Sequence, residues 1–213
     1  AHYVRQTDDI DAELDSAYQS LKYNVYSRTF DSRSKKFGER RLVLDAAAMG
    51  KSASFPRVSP DGRYLLMALS DYGQFHIWHR SSDLYVLDLK TGVMRELRKA
   101  NSPDTESYHN WSSNGRWIVF ASRRDDGSNT RLYVSYFDRQ GIAPKPLLLP
   151  QQSADYYENQ FTSYKVHEWM VNKVKPDMMR ITTAVGNPAV NSVYGVSALA
   201  TPDPATSSKQ IRN

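Results

Sequence analysis

Apolar residues in this chain come in short blocks, each closed by turn residues. "RYLLMALS" (63–70) is almost continuously apolar, the pattern of a strand buried on both faces. "DLYVLDL" (83–89) alternates, the pattern of a strand with one covered face. A short "FPRV" (55–58) precedes the first block, and a polar "VMREL" (93–97) follows the second. "SPDG" (59–62) is a turn: Pro pre-sets φ at its first central position and Gly follows at no steric cost. "KTG" (90–92) is a second tight turn. Together they predict four antiparallel strands in a row.

The same plan is then repeated. "VSPDGRYLLM" (58–67) matches "WSSNGRWIVF" (111–120) position against position, at an offset of 53. The following segments match too, Leu84-Tyr85-Val86 against Leu132-Tyr133-Val134. In the second copy the turn is Ser-Asn-Gly, in which Asn-Gly keeps the hairpin chemistry without Pro. An earlier half-copy, "YNVYSRTFD" (23–31), resembles the second segment, with Tyr26 standing where Tyr85 stands.

Four antiparallel strands repeated every 40–50 residues is the signature of β-propeller blades. The fold class read from the pattern is all-β, with a half-blade at 21–50 and blades at 54–98 and 108–150. The competing reading is a β-sandwich with two chance-similar hairpins. A closed propeller needs about four blades or more, and some two and a half are visible. The expectation is therefore the C-terminal part of a longer propeller of six to eight blades, its remaining blades on another chain or fragment. The start "AHYVRQ" is what a processed product or fragment would show. Ile10, Leu14, Ala17 and Leu21 stand at helical spacing behind an acidic start, predicting a short inserted helix over 9–23. Residues 151–213 are read as a C-terminal segment packing on the propeller, with 153–170 a helix or docking segment and 187–213 irregular, Pro- and Ser-rich and flexible at the end.

Composition narrows the chemistry. The absence of cysteine excludes disulfides, thiolate zinc sites and cysteine nucleophiles. No apolar run reaches the length of about 18 residues that would span a membrane. The net charge of +5 admits an anionic partner such as an acidic glycan, although a solvated surface explains it as well. The charge is uneven: "DDIDAELD" (8–15) is acidic, and "RSKKFGERR" (33–41) is basic with the look of an exposed hairpin end.

"SPDGRYLLMALSD" and "LYVLDLKTG" resemble the WD40-like (PD40-type) repeat of TolB-like propellers, over roughly residues 20–150. The stretches "FPRVSPDGRYLL" and "TESYHNWSSNGRWIVFASRRDDG", followed by "TRLYVSYFD", carry the resemblance most sharply. The second is similar to large TolB-like proteins of the Gram-negative cell envelope, including those of glycan-degrading gut anaerobes. The resemblance implies a propeller without catalytic activity, periplasmic or outer-membrane-associated, as a lipoprotein in full-length form. Propeller domains of prolyl-oligopeptidase-type peptidases carry the same "SPDG" turn.

Propeller geometry says where a site would lie. Loops from strand two to strand three open on the same face as the loops between blades, and the "SPDG" and "KTG" turns lie opposite. The long, chemically rich loops "DYGQFHIWHRSS" (71–82), "KANSPDTESYH" (99–109) and "SRRDDGSNT" (122–130) all fall on one face, whereas the opposite turns read as short. Loops on a rigid scaffold are where function concentrates. The candidate ligand-binding residues there are His76, Trp78, His79, His109, Trp111, Arg123, Arg124 and Arg131.

Three readings compete for them. His76, His79 and His109 could meet at a metal, as in some propeller polysaccharide lyases, or pack between blades and bond backbone groups. Arg123, Arg124 and Arg131, with Trp111 nearby, could hold a carboxylate or acidic sugar, or pair with Asp104, Asp125 and Asp126. A hydrolase reading fails on motif: Gly195-Val196-Ser197 does not complete G-x-S-x-G. No phosphate loop is present, and the aromatics alternate within strands as core residues, so neither a nucleotide nor a nucleic acid is expected. The leading expectation is a non-catalytic envelope scaffold binding a protein partner or acidic glycan, with no metal or cofactor. The alternatives are a propeller lyase or hydrolase using a His-bound metal, and the propeller domain of a peptidase.

Overall fold

The computed structural model describes residues 17–153, 155–159, 162–173 and 177–186. Two compact units divide the chain, residues 1–171 and 172–213. The described part of the second unit contains helix α1 (Met178–Gly186), which the sequence pattern did not single out. All the described strands lie in the first.

Two four-stranded antiparallel meanders form its body. One runs β5 (Ser52–Val58), β6 (Tyr64–Ser70), β7 (Asp83–Asp88), β8 (Met94–Glu96). The other runs β9 (Glu106–Trp111), β10 (Trp117–Ser122), β11 (Arg131–Tyr136), β12 (Leu147–Leu148). In front of them β1 (Val25–Ser27) pairs with β4 (Arg41–Leu44), as the last two strands of a partial blade. These are propeller-type blades, and the all-β fold is as the repeat predicts.

The apolar runs become intelligible in the packing. Every residue of β6 is buried. Leu65, Met67 and Leu69 enter a cluster with Val25, Val43 and Leu44 of the partial blade. Their alternates Tyr64, Leu66 and Ala68 enter a second cluster with Trp111, Ile118 and Phe120 of the next blade. A central strand flanked by a sheet on each side has no polar face, which is why its sequence does not alternate.

The repeated words are turn chemistry. Ser59 N–H donates to Tyr64 O at 2.7 Å and Gly62 N–H to Ser59 O at 2.8 Å. Ser59 Oγ donates to Asp61 Oδ1 at 2.5 Å, and the same carboxylate accepts from Arg63 N–H. The second copy repeats each bond with Ser112, Asn114, Gly115 and Arg116. Gly62 and Gly115 have φ of 74° and 65°, which only Gly adopts without strain. A further shared feature was not legible in the sequence. Phe55 (φ 51°) and Tyr108 (φ 49°) mark equivalent bulges in the first strand of each blade, and their rings meet at 5.0 Å.

One expectation changes, and one of two alternatives is decided. The turn face is not uniformly short-looped, because β1 and β4 are joined by a projecting hairpin, β2 (Phe30–Asp31) and β3 (Lys36–Phe37). Residues 155–159 and 162–173 form turns and irregular backbone rather than a helix. They dock nonetheless: Tyr164 N–H donates to Thr130 O at 3.0 Å and Tyr157 Oη to Leu149 O at 2.8 Å. Of the helix expected over 9–23, residues 17–20 are helical and 9–16 lie outside the described residues, as does 187–213.

Candidate functional site

The long loops converge. Glu106 N–H donates to Ser82 O at 2.8 Å, Ser82 Oγ to Glu106 O, and Thr105 Oγ1 to His76 O at 2.7 Å. These bonds fasten the loop after β6 to the start of β9. Asp104 joins all three loops: Arg123 Nη2 approaches it at 3.3 Å and Arg80 Nε at 3.9 Å. The Arg123 guanidinium also lies over the Trp78 ring, 5.7 Å from its centroid. Tyr18 enters from the front, donating to Gln74 O at 2.8 Å and resting edge-on against Tyr72. Gly73 makes room for it, since a Cβ there would sit 2.6 Å from the Tyr18 ring.

The three candidate histidines separate by role. His109 is 2% exposed, and its Nε2–H donates to Phe55 O at 2.7 Å and Leu66 O at 3.3 Å, clamping one blade to the previous one. His76 is fully buried; its Nε2–H faces Gly73 O at 3.2 Å and its Nδ1 accepts from Ser54 Oγ at 2.7 Å. Burial lowers both pKa values to about 4, so each ring is the neutral Nε2–H tautomer. His79 is half-buried beside Tyr72 and Tyr18, and burial lowers its pKa as well. No described group of three His, Asp or Glu side chains is arranged to hold a metal ion. The convergence that a His-bound metal requires is therefore not made by His76, His79 and His109.

Trp111 is 6% exposed and donates Nε1–H to Arg57 O at 2.9 Å, a second clamp between blades. Arg124 lies over the Tyr133 ring at 4.4 Å and donates to Ala100 O at 2.6 Å and Glu106 Oε1 at 2.9 Å. Glu106 is fully buried and also accepts from Ser102 N–H, Ser102 Oγ and Ser122 Oγ. Burial pushes its pKa up to about 7, against the pull of Ser102, Arg124 and Ser122. Arg131 pairs with Asp125 at 3.2 Å and Asp126 at 3.4 Å. All three arginines thus face internal carboxylates.

What remains open to solvent is an aromatic and basic rim. Trp78 and Phe75 are each 64% exposed, and the Arg80 side chain is 78% exposed. Phe75 holds φ at 58°, a strained value for an aromatic residue. Beside it lies a cleft of about 380 Å3 between the partial blade and β5, lined by Tyr23, Asn24, Ser54, Phe55, Gln74 and Phe75. Sequence reasoning missed Phe75, Arg80 and Glu106. Backbone strain leaves no mark in composition, and one buried Glu among exposed ones reads like any other.

No protein-family model matches the chain, and no curated protein matches it. Among solved structures it is similar to TolB from Acinetobacter baumannii, at 21% identity over 59% of this chain and 27% of that one, with a TM-score of 0.37. It is also similar to the β-propeller domain of the Trilobed protease from Pyrococcus furiosus, described as having an open velcro topology. That likeness is 16% identity over 62% of this chain and 44% of the other, with a TM-score of 0.35. The chain spans under half the length of either structure. At this identity the likeness concerns the fold alone, and the blade assignment rests on the sheets themselves.

Proposed function

We propose that this chain is part of a non-catalytic TolB-like propeller scaffold of the bacterial cell envelope, and that its loop face binds a protein partner or an acidic glycan. The observation that carries the reading is the asymmetry of that face. His109, Trp111, Arg124 and Glu106 are spent on fastening strands and loops, while Trp78, Phe75 and Arg80 stand open to solvent and Phe75 borders a cleft. An exposed indole next to guanidinium groups suits a sugar ring bearing a carboxylate, or an aromatic and acidic protein segment. The Arg123 guanidinium lies against the Trp78 ring. The envelope assignment rests on the resemblance of the repeats. No helix of the described residues is long and apolar enough to cross a membrane.

The test is a titration with acidic oligosaccharides, followed by Trp fluorescence, with the ligand's mass checked afterwards. Saturable binding that Trp78→Ala or Arg80→Ser weakens about tenfold, a change of about 1.4 kcal/mol, with the ligand intact, supports the glycan reading. A cleaved ligand would overturn the non-catalytic assignment. Binding that neither substitution alters would move the site off this face.

A further inference from the structure

Residues 26–42 contain no buried position. The stretch nevertheless carries Tyr26 (45% exposed), Phe30 (52%), Phe37 (67%) and Leu42 (53%). It also carries Arg28, Arg33, Lys35, Lys36, Arg40 and Arg41 against only Asp31 and Glu39, a net +4 in a chain whose total is +5. None of these six cations forms an ion pair among the described residues. Nearly all of the chain's charge imbalance is therefore gathered on one projecting hairpin.

The hairpin's geometry sorts these groups. Phe30 and Phe37 stand directly opposite each other across β2 and β3, their rings 4.9 Å apart on one face of the ribbon. Lys36 pairs with Asp31 in register and so stands on the other face. Arg33 and Lys35 sit in the tip, which Asp31 ties down by accepting from Arg33 N–H and Ser34 Oγ. Arg28, Arg40 and Arg41 stand at the root, with Arg40 over the Tyr26 ring at 4.4 Å. A solvated charged surface needs no paired phenylalanines, and a core hairpin would bury them. Because β1 and β4 are the last two strands of their blade, the hairpin emerges on the turn face, away from the loop face. The Trp117–Tyr136 pair, 40% and 42% exposed, stands at the turn ends of β10 and β11.

We propose that the β2–β3 hairpin is a docking element for an anionic phospholipid surface, separate from the loop-face site and independent of what that site binds. The two Phe rings enter the boundary between headgroups and acyl chains, and the flanking Lys and Arg side chains lie among the anionic headgroups. Charge complementarity favours a negative surface. The apolar pair favours a bilayer over a soluble polyanion, which offers no hydrocarbon to receive it.

Sedimentation with vesicles tests this on the intact chain. The protein co-sediments with mixed phosphatidylcholine and phosphatidylglycerol vesicles, is released by high salt, and stays in solution with phosphatidylcholine alone. Each cation near the surface is worth roughly fivefold, so Lys35→Asn with Lys36→Ser weakens binding about 25-fold. Phe30→Ala with Phe37→Ala weakens it at least about tenfold. Arg28→Ser with Arg41→Ser, which leaves the tip intact, weakens it as the tip variant does. All these side chains are exposed, so far-ultraviolet circular dichroism and the thermal midpoint stay unchanged. Equal partition onto both vesicle types, no partition onto either, or indifference to the Phe substitutions overturns the proposal. So does duplex DNA or a soluble acidic polysaccharide that displaces the protein from vesicles while binding the Phe variant undiminished.

Discussion

His109, Trp111 and Arg124 do their work inside the molecule, and each can be weighed by what its loss would leave behind. Removing the His109 imidazole strands two buried carbonyls, Phe55 O and Leu66 O, and opens a cavity. His109→Ala should cost about 2–4 kcal/mol in urea unfolding, whereas Trp78→Ala, on an exposed side chain, should stay within about 0.5 kcal/mol. The arginines should separate in the same way. Arg124→Ala leaves the fully buried Glu106 carboxylate without its cation and should cost about 3–5 kcal/mol. Arg131→Ala removes partly exposed pairs and should cost about 1 kcal/mol or less. Equal losses for Arg124 and Arg131 would remove the distinction between the fully buried pair and the partly exposed ones.

The same residues set the response to pH. His76 and His109 have folded pKa values near 4, below the unfolded 6.5. The unfolded chain therefore binds more protons in that window, and stability falls as pH drops from 6.5 towards 4, by at most about 3 kcal/mol for each ring. Glu106 acts oppositely. Its folded pKa is raised from 4.5 to about 7, so its contribution is complete below 4.5 and is lost as pH rises through 7. Asp83, pushed up to about 6 by burial and by Glu96, adds to that limb. The two sets oppose each other between pH 6.5 and 4.5, so the denaturant midpoint should change little there, and Glu106→Gln should expose the histidines' loss as a fall on the acid side. An acid limb that survives removal of both histidines would contradict the assignment.

At the scale of elements, the turns carry the sharpest prediction. Gly62 and Gly115 hold positive φ, and no atom lies within 4 Å of a Cβ placed at Gly62. Gly62→Ala therefore reports backbone strain alone, about 1–2 kcal/mol, read from the urea midpoint. This level was also the most legible in the sequence. Ser59, Asp61 and Gly62 have fixed turn chemistry, and an apolar run such as β6 has few places to go except between two sheets. What could not be read depends on through-space partners. Nothing local to "FPRV" or "SYHN" shows that Phe55 and Tyr108 sit in matching bulges, or that His109 reaches back to a carbonyl 54 positions earlier. For Arg123 and Arg131 the partners Asp104, Asp125 and Asp126 were legible only as one of two alternatives, and Glu106, the partner of Arg124, was not legible at all. The basic stretch 33–41 read correctly as a hairpin end, yet its exposed Phe pair needed the register of β2 and β3 to be seen.

In the first unit the sheets stack through shared apolar clusters, with the loops on one face and the turns on the other. β6 and β10 lie at the centre of that stack, and the 28–40 hairpin lies wholly outside it. Local stability should follow this division. Hydrogen exchange of the intact chain, resolved by segment, tests it most directly. Amides of 64–70 and 117–122 should exchange orders of magnitude more slowly than those of 28–40, with β9 near His109 protected alongside them. Exchange of either central strand as fast as the hairpin would contradict the stacked-blade architecture.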